Sequence, residues 1–162
     1  YGAKVIDRPE ELSGEFEPTI TAIQHVLETI DFEVENVIVL QPTNPLRPIN
    51  LIKDCIEKFH SEMTDSLFIV SRNHHKLGKI VKDQFRPFNY QIGQRSQDLE
   101  PLYFENGLLY ITKVKCIKEG NIISENAFPY EVNHVFATID IDTQEDFDYA
   151  EYLYKKYLIP NL

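Results

Sequence analysis

Apolar positions along the chain fall into blocks of contrasting period. Ala3 to Pro9 (AKVIDRP) reads as a short strand running into a loop, with no strand before it. From about Phe16 to Thr29, Ile20, Ile23, Val26 and Leu27, with Ile30 just beyond, recur at three- and four-residue spacing and predict a helix. Val37 to Leu40 (VIVL) is a continuous apolar run without alternation, as in a strand covered on both faces. A second helix is predicted over Ile49 to Glu62, where Leu51, Ile52, Cys55, Ile56 and Phe59 share a face, and Ser66 to Ser71 (SLFIVS) reads as another buried strand. Strand, helix, strand, helix in this order predicts right-handed parallel crossovers and an α/β class.

The rhythm then changes. Arg72 to Asp98 is polar and locally basic, and its short alternating pieces (Lys79 to Val81, Phe88 to Ile92) predict a small antiparallel excursion. Gly107 to Thr112 (GLLYIT) returns to a core strand. Phe136 to Ile141 (FATIDI) reads as the last strand, and a terminal helix is predicted over Gln144 to Tyr157. The expected organisation is one domain, 1–162, with 72–98 as an inserted subregion.

Composition narrows the function classes. The 162 residues are 43% hydrophobic and 12% aromatic, which suits a folded core. With 16 Lys+Arg against 26 Asp+Glu, the net charge is 16 − 26 = −10, the wrong sign for a surface that coats nucleic acid. No apolar run approaches the ~18 residues of a membrane span. Cys55 and Cys116 stand apart with no metal-ligand or CxxC spacing, so reduced thiols in a cytoplasmic protein are expected.

Three stretches offer chemistry. In Asp140-Ile141-Asp142 the carboxylates stand two apart, which on a strand points both to one face and lets them converge on a cation such as Mg²⁺. The same residues also suit a helix start, with Asp142 or Thr143 as N-cap. The loop Gln41 to Pro48 (QPTNPLRP) follows a buried strand. Its prolines stiffen the frame on which Gln41, Thr43, Asn44 and Arg47 present donors and acceptors, fit for a sugar or a base, although a stiff connection would look the same. Arg95-Ser96-Gln97-Asp98, with Tyr103 to Gly107 beyond it, places an Arg and Asn106 at a strand entrance, where they suit a carboxylate and a hydroxyl; Asn106-Gly107 also reads as an ordinary turn. His74-His75, adjacent in a polar stretch, are expected to be solvated.

Together these stretches resemble one family. VIVLQPTNPLRP is similar to the Leu-Leu-Gln-Pro-Thr-Ser-Pro-Leu-Arg signature of the acylneuraminate cytidylyltransferases, or CMP-sialic acid synthetases. Arg95 to Gly107 resembles their Arg-Gln-Asp…Tyr…Asn-Gly segment, TIDIDTQEDFDYAE their closing Asp-Ile-Asp…Asp…Ala-Glu motif, and RPEELSGE an Arg-Pro-Glu-Leu stretch. The resemblance implies a three-layer, Rossmann-like nucleotide-diphospho-sugar transferase fold with a mostly parallel sheet. It implies transfer of CMP from CTP to a nine-carbon, sialic-type nonulosonic acid, with release of pyrophosphate.

Carried over by position, Asp140 and Asp142 hold Mg²⁺ and act in catalysis. Gln41, together with the loop residues Thr43, Asn44 and Arg47, meets the substrate, while Asn106, Tyr103 and Gln97 belong to the acceptor side. Arg95 faces the sugar carboxylate; Ser96 stands where the family has its arginine. Lys79 corresponds to a lysine of the subregion that family members exchange across a homodimer. The family's opening strand and basic CTP-gripping loop have no counterpart ahead of Tyr1, so the resemblance starts inside the family fold. That leaves a second expectation, a sugar-binding or dimerisation module without catalysis.

Overall fold

The structure, a computed structural model, describes residues 2–14 and 16–158. A four-stranded sheet forms its centre: β1 (Asn36–Val39), β2 (Ser66–Asn73), β5 (Leu102–Lys113) and β6 (Phe128–Glu131), in the order β1-β5-β2-β6. β6 pairs parallel with β2, while β5 pairs antiparallel with both β1 and β2. Three of the four strands therefore point one way, and the single reversed strand lies between two of them. Burial explains the apolar runs of β2 and β5. It does not explain that of β1, which lies at a sheet edge with no buried residue and Ile38 39% exposed, so Val37 to Leu40 is not covered on both faces as expected. From Leu108 to Thr112 every residue of β5 is buried, and successive side chains point to opposite faces, so the sheet is covered on both.

Helix α2 (Leu51–Ser61) sets Leu51, Cys55 and Phe59, at i, i+4 and i+8, against Leu67, Ile69, Leu109 and Ile111 of the sheet. Helix α1 (Thr19–Thr29) carries the expected apolar stripe but has no fully buried residue. It rests beside the short helix α3 (Val114–Lys118), where the Gln24 amide donates to the Ile117 carbonyl at 2.8 Å. Helix α4 (Gln144–Tyr157) closes a second cluster of Leu46, Phe136, Ile139, Ala150 and Leu153. Its start is set by a reciprocal capping box. The Thr143 hydroxyl accepts from the Asp146 N–H at 3.2 Å, and the Asp146 carboxylate accepts from the Thr143 N–H at 2.9 Å.

Two predicted strands are absent. Gly2 to Pro9 is irregular and largely exposed, Val5 at 88%, because no neighbouring strand offers it backbone partners. FATIDI is also not a strand. A 3₁₀ turn runs over Val135–Thr138, begun by His134, whose ring Nδ1 accepts from the Phe136 N–H at 3.1 Å. The run is apolar because Phe136 and Ile139 fill the second cluster, not because it lines a sheet. The free edge of β2 is instead taken by β6, whose Pro129 hid it from a sequence reading; proline is tolerated there because β6 is itself an edge strand. The antiparallel excursion forms as a hairpin of β3 (Gly78–Val81) and β4 (Gln84–Pro87), earlier in the chain than the expected Phe88 to Ile92. Its turn residues Lys82 and Asp83 both have positive φ, 51° and 61°, as a tight two-residue turn demands.

Candidate active site

A cleft of about 530 Å³ opens at the carboxyl end of β2, walled by Gln41 after β1, Arg72, His74 and His75 from the end of β2, Phe104 to Gly107 of β5, and Thr138 to Asp140. The carboxyl end of strands is the usual ligand site in open α/β sheets. Its shape depends on an irregularity in β5. Tyr110 lies opposite Phe68 and Glu105 opposite Val70, so Asn106, Gly107, Leu108 and Leu109 together face the one residue Ile69. The excess backbone bulges and brings Asn106-Gly107 to the cleft. Gly107 has φ +73°, and a Cβ there would lie 2.2 Å from Gln41 Oε1 and 2.7 Å from Asn44 Oδ1. Glycine is thus required twice, by its backbone and by its neighbours.

The QPTNPLRP loop uses most of its polar groups on the protein itself. Arg47 donates from Nε to the Leu108 carbonyl at 2.9 Å and from Nη2 to the Gln41 carbonyl at 3.1 Å. Its half-burial pushes the guanidinium pKa down. Asn44, 1% exposed, donates from its amide to the Ile139 carbonyl, while its Oδ1 has no partner. The Thr43 carbonyl accepts from the Ile141 N–H at 2.9 Å. Arg47 and Asn44 therefore hold the loop against β5 and the 139–141 segment, and Gln41 is the loop residue that lines the cleft.

The structure places the other sequence candidates unevenly. Asn106 lines the cleft, its amide donating to Ser71 Oγ at 2.9 Å and its Oδ1 accepting from the Leu108 N–H at 3.2 Å. Asp140 lines it too. Asp142 lies next to the N-cap, outside the lining; the expected cap is Thr143 rather than Asp142. Lys79, Arg95, Gln97 and Tyr103 do not reach the cleft within this chain. Lys79 is on the exposed hairpin, its Nζ 5.8 Å from the Phe88 ring centre. Arg95 is held by Asp98 through two contacts, Nε to Oδ2 at 2.7 Å and Nη2 to Oδ1 at 3.0 Å, beside Gln97 in a short exposed turn. Tyr103 is 47% exposed.

The site reading of the sequence passed over Arg72, Glu105 and Tyr110 and left His74-His75 as solvated, yet all of them line the cleft. The Tyr110 hydroxyl donates to Glu105, and burial first, then Glu105 and the charge of Asp140, raise its pKa. The His75 ring Nδ1 lies 3.0 Å from Asn73 Oδ1, an oxygen that can only accept, so this contact orients the ring. The available signal was position: Arg72 and His75 follow directly on a buried strand, and Glu105 precedes the Asn-Gly pair.

For a divalent cation the test is whether the candidate carboxylates are already committed. The capping role falls to Thr143 and Asp146, and no hydrogen bond or ion pair occupies the side chain of Asp140 or Asp142 among the described residues. No cluster of three or more His, Cys, Asp or Glu suited to a metal occurs among the described residues. Because this segment is not a strand, alternation does not set the two carboxylates on one face as expected. Both are exposed and without a protein partner among the described residues, which suits an ion that takes its other ligands from phosphate and water, as Mg²⁺ does.

No family model matches the chain. It is 30% identical over 156 residues to the N-acylneuraminate cytidylyltransferase of Streptococcus agalactiae serotype V, an alignment covering 90% of this chain and 36% of that protein. To the CMP-N,N'-diacetyllegionaminic acid synthase of Legionella pneumophila it is 30% identical over 173 residues, covering 94% of this chain and 70% of that protein. The chain belongs to the acylneuraminate cytidylyltransferase family. A pseudaminic acid cytidylyltransferase of Campylobacter jejuni is 27% identical over 164 residues, covering 96% of this chain and 71% of that protein. The chain thus spans about a third of the streptococcal relatives and more than two thirds of the other two. The crystal structure of the 2-C-methyl-D-erythritol 4-phosphate cytidylyltransferase of Francisella tularensis superposes with a TM-score of 0.61 at 16% identity, over 86% of this chain and 68% of that one, which establishes the Rossmann-like nucleotidyltransferase fold. No helix among the described residues is long and apolar enough to cross a membrane.

Proposed function

We propose that the protein transfers CMP from CTP to a sialic-type nonulosonic acid, working as a cytoplasmic homodimer with Mg²⁺. The observation that carries this reading is Asp140 in the wall of a cleft that also presents the amides of Gln41 and Asn106, with Asp142 two residues on, outside the lining, and neither carboxylate bound to a protein partner among the described residues. In the reaction the anomeric hydroxyl oxygen attacks the α-phosphorus of CTP, the bond from that phosphorus to the bridging oxygen breaks, pyrophosphate leaves and the hydroxyl proton is lost. Asp140 and Asp142 would hold Mg²⁺, which when bound neutralises charge on the phosphates. Gln41 and Asn106 are placed to fix sugar hydroxyls, and Asn106 is itself oriented by Ser71 and the Leu108 N–H. Arg47 and Asn44 support these groups by tying the loop to β5 and to the segment that leads to Asp140. The exposed hairpin, with Ile80 at 79% and Phe85 at 55% exposure, offers the apolar surface for a dimer contact and lets Lys79 serve the partner's cleft. The sequence similarity to enzymes named for neuraminic, legionaminic and pseudaminic acids supports the substrate class.

The test measures pyrophosphate release from CTP, Mg²⁺ and each of these three acids. Asp142→Ala is expected to lower the rate at least about 100-fold with an unchanged circular dichroism spectrum. An unaltered rate in that variant removes the metal assignment, and no release with any acid removes the function.

A further inference from the structure

The cleft wall carries a guanidinium, that of Arg72, with no hydrogen bond or ion pair among the described residues. Arg72, next to last in β2, lines the cavity, and its Nε is buried without a hydrogen-bond partner. Glu105 lines the same cleft yet makes no ion pair with it among the described residues, and one Glu105 oxygen is taken by the Tyr110 hydroxyl. An unpaired buried donor is costly, and a guanidinium has a planar fork that fits a carboxylate through two bonds. Arg95, the arginine that the sequence offered for this duty, already makes that fork-to-carboxylate contact with Asp98 and lies outside the cleft. The remaining cleft charges sharpen the need. Glu105 and Asp140 are both acidic, so an acid entering beside them requires a compensating cation, and Arg72 is the lining residue that supplies a permanent one.

We propose that Arg72 receives the carboxylate of the sugar acid and so sets the preference for acidic over neutral sugars. The proposal rests on reading the cleft as a sugar-acid site. The phosphates are assigned to the Asp140 side, where the metal would sit, which leaves the end of β2 to the carboxylate.

The experiment is calorimetry on the full chain with Mg²⁺ and a non-hydrolysable CTP analogue. It compares neuraminic, legionaminic and pseudaminic acids, each with its methyl ester. Wild type is expected to bind its preferred acid about 10–100-fold more tightly than the ester, the range for a charge-assisted pair. Arg72→Gln should abolish that ratio while binding the ester as wild type does, and Arg72→Lys should restore part of it. If either variant fails to fold by circular dichroism, the ¹⁵N shift of the Arg72 side chain in wild type decides. It should move with the acid and stay with the ester.

A ratio kept in Arg72→Gln, or a side-chain signal that ignores the acid, overturns the role of Arg72 and leaves the proposed function standing. Loss of affinity for the CTP analogue with the acid-to-ester ratio intact also overturns it, by assigning Arg72 to phosphate. Failure of every acid to bind wild type overturns the proposed function and this inference together.

Discussion

The two ends of the central sheet treat polar groups in opposite ways. At the end formed by the start of β2 and the close of β5, polar side chains are satisfied within the protein. The Thr64 hydroxyl donates toward the Ser66 and Asn126 carbonyls at 2.8 and 2.5 Å, Ser66 and Ser124 share a hydrogen bond of 2.8 Å, and the Thr112 hydroxyl donates to the Ile122 carbonyl. Asp65 is clamped by Lys113 and Lys115, each at 2.8 Å. Toward the cleft end, Asn44 Oδ1 and Arg72 Nε are buried without partners, and the carboxylates of Asp140 in the cleft wall and Asp142 just outside it have none among the described residues. The first end satisfies these polar side chains within the protein; the second satisfies Arg47, Asn106 and Ser71 yet leaves two buried atoms and two carboxylates without a protein partner among the described residues. Buried polar groups left without a partner at one end of a sheet therefore draw attention to that end as a site.

This contrast can be broken by substitution. Thr112→Val keeps the volume but strands the Ile122 carbonyl, so unfolding in urea should show a loss of about 1–3 kcal/mol. A smaller effect is expected from Asp65, whose carboxyl is held down at about 2, chiefly by the hydrogen bonds from Lys113 and Lys115. Its folded pKa lies below the unfolded value of about 3.9, so its contribution is complete above that value and is lost as pH falls from about 4 toward about 2. Asp65→Asn should remove that part of the acid dependence of the melting temperature. The smallest effect belongs to the cleft end: Arg72→Met gives up no protein partner, and its stability should stay within about 0.5 kcal/mol of wild type or rise. A large loss there would show that Arg72 is scaffold after all.

Much of this fold was legible because local and global preferences agree. Helix α4 is written into the chain by Thr143 and Asp146 three residues later, ahead of the apolar positions Ala150 and Leu153, and its bounds were read as Gln144 to Tyr157. Strands β2 and β5 were visible because burial on both faces leaves unbroken apolar runs, whereas β1 carries such a run although it lies half-buried at a sheet edge. FATIDI misled because a run that fills a core looks the same whether it is extended or wound into a turn, and β6 was missed because Pro129 argues against a strand unless its edge position is known. At the site, the motif residues Gln41, Asn106 and Asp140 do meet in one cleft. Asn44 and Arg47 share their motif but hold backbone, a division that spacing alone does not reveal. Arg72 belongs to no motif, and only the fold shows that its neighbours leave it unpaired.

The bulge in β5 has a broader consequence. Residues 102–105 above it are half-buried or exposed, with Phe104 and Glu105 in the cleft wall, while 107–112 below it are buried. Because the extra backbone resets the alternation between the two halves, the upper half can exchange side chains without shifting the phase of the lower. The strand works as a jointed rod, and a lineage could reshape the cleft wall while the body of the protein keeps its register.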